Sequence, residues 1–110
     1  MYMVEVSILG NRWKVYLQDE DEYVDLWGDN DAAHTLPATK EIYFNEEELC
    51  RQVVTHELAH AYYAETCVSS ASLNPDQVEE VMCELFGTNG NKMLKLSRQL
   101  FKDLKAESGT

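Results

Sequence analysis

The chain has 110 residues, enough for a single domain (residues 1–110) with one modest core. Hydrophobic residues make up 45% and charged residues 26%, ordinary globular usage that speaks against wholesale disorder. Twenty acidic against nine basic residues give a net charge of −11, which repels phosphate backbones and anionic bilayers, so neither a nucleic acid nor a membrane is expected as a partner.

The opening residues, Met1 to Val6, lack a basic start and a long apolar stretch, so no secretory leader is expected. No run reaches the ~18 apolar residues that a membrane helix needs. Met3–Leu9 and Arg12–Leu17 are rich in Val, Ile, Trp and Tyr, and Gly10-Asn11 between them is a two-residue turn signal, so a hairpin is predicted. Gln18 to Asp31 holds seven carboxylates among Tyr23, Val24, Leu26 and Trp27. It reads as an acidic loop with one helical turn around Glu22–Trp27, and it lacks the spacing of a calcium loop. Glu41–Phe44 is the third predicted strand.

After Phe44 the period becomes helical. Asn45 and Glu48 have the form of a capping box, and one helix is predicted from about Glu46 to about Cys67. Ser69–Ser72 reads as a loop. Asn74-Pro75 opens the next helix, whose Val78, Val81, Met82, Leu85 and Phe86 recur at the spacing of a buried face. Gly87 to Gly90 should end it. A last helix, from about Asn91 to Lys105, carries Met93, Leu96, Leu100 and Leu104 on one side, and Lys92, Lys95, Arg98, Lys102 and Lys105 as a solvated basic face. The fold class is therefore α+β, a small antiparallel sheet of about three N-terminal strands packed on about three helices. The odd cysteine count (Cys50, Cys67, Cys83), with no CxxC pair, fits a reducing compartment and makes the cytoplasm the default location.

His56-Glu57-Leu58-Ala59-His60 lies within the long helix. His56 and His60 fall one turn apart on one face, with Cβ atoms roughly 5–6 Å apart, and two imidazoles so placed can bind one Zn²⁺. Glu57 lies about 100° round the helix, better placed to act as general base on a water than as a ligand. Three histidines and thirteen glutamates in 110 residues produce this pattern by chance in roughly one such chain in a hundred, so the match carries weight. Catalytic zinc needs a third protein ligand. The candidates are Glu79, Glu80, Glu84 and His34. On the helix after Pro75, Glu80 and Glu84 share a face away from the apolar stripe, which would let one ligate while the other orients a ligand histidine. Glu79, at the stripe's edge, is the alternative. Cys67 lies near the histidine face but about 10 Å along the axis from His60, too far to share a metal. Cys83 reads as a small buried thiol, and Tyr62 and Tyr63 as packing.

The strand Glu41–Phe44, Val54-Thr55-His56-Glu57-Leu58-Ala59-His60-Ala61 and Glu80-Val81-Met82-Cys83-Glu84-Leu85-Phe86-Gly87 together resemble the ImmA/IrrE-type metallopeptidases of phages and mobile elements. The resemblance covers about residues 40–93. It implies a zincin-like domain, with the first Glu of the second motif as zinc ligand. Only the register starting at Glu80 puts small residues at Cys83 and Gly87 around Phe86. The implied function is hydrolysis of peptide bonds in a protein or peptide substrate, such as a repressor, by a water activated on Zn²⁺ held by His56, His60 and Glu80. Glu57 would be the base and Glu84 would support a ligand. The alternative is a zinc-containing regulatory or protein-binding module of the same fold without efficient proteolysis, since so short a chain leaves little wall for a substrate cleft.

Overall fold

Trp13, Val15 and Leu17 alternate with polar neighbours along one strand and are buried, opposite Val6, Val4 and Tyr2 of the strand before it. This alternation makes the β1 (Tyr2–Ile8) and β2 (Asn11–Gln18) hairpin of the computed structural model, which describes residues 1–67 and 74–108. The turn falls one residue earlier than the Gly10-Asn11 signal suggests. Leu9 and Gly10 are its central pair, with φ of 51° and 83°, as a two-residue turn with two left-handed positions requires. Asn11 instead opens β2, and its side-chain amide donates to the Leu9 carbonyl at 3.4 Å.

The acidic segment is more ordered than the sequence suggests. Asp19 caps a full two-turn helix, α1 (Glu20–Trp27), in a reciprocal capping box with Glu22, and three carboxylates sit in its first turn, where the helix dipole favours them. Gly28, at φ 81°, turns the chain out of it. A strand absent from the sequence reading follows, β3 (Ala33–Leu36), and then β4 (Glu41–Asn45).

The sheet order is β1-β2-β4-β3, with β2 parallel to β4 and the other two pairs antiparallel. The expected three-stranded antiparallel sheet is thus a four-stranded mixed one, although the α+β class stands. Local pattern could not show this, because Ala-His-Thr-Leu is a weak strand sequence and the β2–β4 pairing spans the whole acidic segment. The strand at Glu41 is interior, paired on both sides; the open edge beside it belongs to β3.

The expected helix from Glu46 is interrupted. Asn45 accepts from the Glu47 amide at 3.0 Å, a shorter reach than a capping box, and this closes only a 3₁₀ turn over Glu46–Glu48. Leu49 is then extended so that its side chain can enter the core, and α2 (Arg51–Cys67) starts after it. Asn74 and Gln77 form a capping box at the start of α3 (Pro75–Glu84). Gly87 to Gly90 do not break the chain. A π-helical turn, Leu85–Asn89, passes directly into α4 (Gly90–Glu107), and Gly90 itself is ordinary right-handed helix at φ −56°.

One face of the sheet (Trp13, Val15, Leu17, Ile42, Phe44) packs on Val54, Leu58, Ala61 and Tyr62 of α2 and on Met93, Leu100 and Leu104 of α4. Leu85 joins this core, but Phe86 is 54% exposed and Val78, Val81 and Met82 are only half-buried, so the face of α3 expected to be buried is largely peripheral. The other face of the sheet carries an aromatic cluster. Tyr16 stacks on Tyr43, Trp27 on His34, and α1 covers them with the fully buried Tyr23. The basic residues of α4 are exposed, as expected. No helix among the described residues is long and apolar enough to cross a membrane. The loop expected at Ser69–Ser72 and the side chain of Cys67 lie outside the described residues.

Candidate metal centre

Val54, Leu58, Ala61 and Tyr62 wedge one side of α2 into the core, which fixes the azimuth of everything else on that helix. His56 and His60 consequently point outward, one turn apart, with ring centroids 4.7 Å apart and Nε2 atoms 3.1 Å apart. Two nitrogens bound to one tetrahedral zinc at ~2.0–2.1 Å lie about 3.4 Å apart. The pair therefore fits such an ion after a shift of only a few tenths of an ångström.

Glu57 sits between the exposed and buried sides of α2 and is 8% exposed. The Thr35 hydroxyl on β3 donates to its Oε1 at 2.7 Å, and its Oε2 lies 3.9 Å from His56 Nε2. One carboxylate oxygen is anchored while the other faces the histidines. His56, Glu57 and His60 bring ligand atoms within 4.8 Å of one another, and among the described residues they are the one such cluster able to hold a metal ion.

A cleft of about 670 Å³ opens over these residues, walled by Thr35 and Pro37 on one side and by Tyr63 on the other. Glu65, also in its wall, has an almost fully buried carboxylate that pairs with Lys40. Lys40 also lies over the Trp13 ring, 5.8 Å from its centroid, and has a left-handed φ of 57° in the turn that its N–H closes on the Pro37 carbonyl at 3.3 Å. Tyr62 faces the core, where burial pushes its phenol pKa up; it packs, as expected.

None of the remaining sequence candidates joins the ligand cluster, although His34 contributes to the lining of the cleft. His34 is next to Thr35, but strand alternation sends it to the opposite face of the sheet. There its Nδ1 shares a 2.8 Å hydrogen bond with the Tyr23 hydroxyl, and its Nε2 lies 3.5 Å from Asp31. Burial, with the charges of Asp31 and Glu57 adding to it, pushes the Tyr23 pKa up to about 12, so this phenol stays neutral. Glu79, Glu80 and Glu84 are all exposed, and none joins the cluster. The α3 side chain that meets the histidines is Met82, which closes a small cavity with His56, Ala59, His60 and Tyr63. At 100° per residue Glu80 lies about 160° round α3 from Met82. The wheel that separated Glu80 from the apolar stripe thus also separates it from α2. Cys83 is exposed rather than buried, as is Cys50.

Thr35 is the residue that sequence reasoning missed. Nothing near it in the chain marks it, because its partner is 22 positions away and on another element. No family model, curated protein or solved structure matches the chain.

Proposed function

We propose that the chain is a zincin-like, zinc-dependent metallopeptidase of the ImmA/IrrE type that cleaves a protein or peptide substrate in the cytoplasm. The observation that supports this most is the Glu57 carboxylate, anchored through Oε1 by Thr35 and turned through Oε2 toward a histidine pair at chelating distance. His56 and His60 would hold the ion, which when bound supplies Lewis-acid polarisation of the scissile carbonyl. Glu57 Oε2 accepts a proton from the attacking water and delivers it to the leaving amine. Edge strand β3, rather than the interior β4, offers backbone groups to an extended substrate. Glu80 is the third ligand of this reading, with Glu84 supporting a ligand. It requires α3 to turn by about half a revolution from the arrangement described above. Such a turn would have to be taken up in the π-helical segment Leu85–Asn89 that joins α3 to α4, since α3 itself has no fully buried residue.

Met82 at the histidines supports a second reading, a zinc-containing regulatory or protein-binding module in which α3 stays where it is and the ion has two protein ligands. Zinc titration and cleavage of fluorescein-labelled casein separate the two. For the peptidase, one equivalent of zinc confers cleavage, Glu57→Gln abolishes it while keeping the metal, and Glu80→Ala strongly weakens both. Zinc binding that is indifferent to Glu80→Ala, without cleavage, selects the binding module. A protein with no zinc affinity at neutral pH sinks both.

A further inference from the structure

In the β3–β4 ladder Ala33 opposes Phe44, His34 opposes Tyr43, Thr35 opposes Ile42 and Leu36 opposes Glu41. The Asn45 amide donates to the Ala32 carbonyl at 3.1 Å. Hydrogen-bonded and non-bonded pairs alternate along an antiparallel ladder. Ala32, His34 and Leu36 therefore turn their N–H and C=O groups inward to β4, and Ala33 and Thr35 turn theirs outward to the open edge. Side chains alternate between the two faces with the same period of two. Thr35 sends its hydroxyl to α2, where it donates to Glu57 Oε1 at 2.7 Å. His34 sends its ring to the Tyr23 side. A single residue thus presents outward backbone groups at the cleft and sets the orientation of the carboxylate on the cleft floor.

We propose that Thr35 is a positioning residue that couples docking of an extended peptide to the general base. Its N–H and C=O pair with the substrate backbone, and its hydroxyl keeps Oε2 of Glu57 turned toward the histidine pair. This rests on the peptidase reading above. A carboxylate as buried as Glu57 needs a donor, and the hydroxyl supplies it without adding a competing charge beside the metal position. Any displacement of β3 by a poorly fitting chain would move the hydroxyl and, with it, the base. The coupling therefore favours substrates that complete the strand.

The test uses Thr35→Val, which keeps the shape and strand preference but loses the donor, and Thr35→Ser, which restores the donor. Casein cleavage by the zinc-loaded protein should fall in kcat by roughly 10- to 100-fold for Thr35→Val, with KM and zinc affinity unchanged, and should recover in Thr35→Ser. In the metal-free wild type, amide hydrogen exchange should show Ala33 and Thr35 exchanging much faster than His34 and Leu36. An active wild type with an unimpaired Thr35→Val variant, or a loss confined to KM, overturns the coupling and leaves the peptidase reading standing. A Thr35 amide as protected as that of His34 overturns it regardless of activity. A wild type that binds zinc but cleaves nothing overturns the peptidase reading and the coupling together.

Discussion

Helices α2 and α3 both carry charged or ligating side chains one turn apart, His56 and His60 on one, Glu80 and Glu84 on the other, yet only the first pair converges on anything. The difference lies on their opposite faces. Four fully or nearly fully buried residues lock α2 against the sheet, whereas α3 has none and is held through Leu85 just beyond its end. An exposed polar pair is aimed only as well as the apolar face behind it is packed. The histidines therefore stand in a defined direction. The glutamates stand in water.

The largest expected effect tests the aimed pair itself. His56→Ala or His60→Ala should abolish stoichiometric zinc binding in calorimetric titration; retained binding in either variant would mean that the metal sits elsewhere and would erase the contrast with α3. Next in size is the packing behind it. Leu58→Ala should cost about 2–5 kcal/mol in urea unfolding, while Phe86→Ala, on the exposed side of the α3–α4 junction, should change stability by less than about 0.5 kcal/mol. Comparable losses at the two positions would show that α3 is as firmly seated as α2. Chelation is expected to fall at the lower end of the range for the core substitution. The core cluster contains none of the three centre residues, so EDTA should remove only the ligand linkage, about 2.7 kcal/mol at zinc 100-fold above Kd. The melting temperature should fall while the far-ultraviolet dichroism at 25 °C keeps its helical signal. Loss of most of that signal would make the ion structural.

What could be read in the chain follows the same division. His56, Glu57 and His60 were legible because a single helical turn fixes their spacing, whatever the rest of the protein does. Asn74-Pro75 and the α4 stripe were legible for the same reason. Thr35 was not, because its role depends on a strand written in weak β-formers and on contact with a helix 22 positions away. The place of α3 was misjudged because the helical wheel sorts residues around an axis but does not say which sector a neighbouring helix will meet; that sector turned out to hold Met82. The parallel pairing of β4 was hidden because direction in a sheet is decided by the connection, and the connection ran through α1 and β3, neither of which was fully visible as an element.

That connection also sets the order in which the protein can fold. The β1–β2 hairpin is local and can form within about 1–10 μs, but Ile42 and Phe44 reach Val15 and Leu17 only after more than twenty intervening residues have been folded back. Strand β4 must then settle between β2 and β3, one distant and one near, both of which precede it in sequence. This non-local pairing is expected to be the slow event, with β3 and α2 taking their final places beside the cleft as it completes. A refolding chain would accordingly regain hairpin structure early and the Thr35–Glu57 contact late, so metal-binding competence should return in a slower phase than the first β signal.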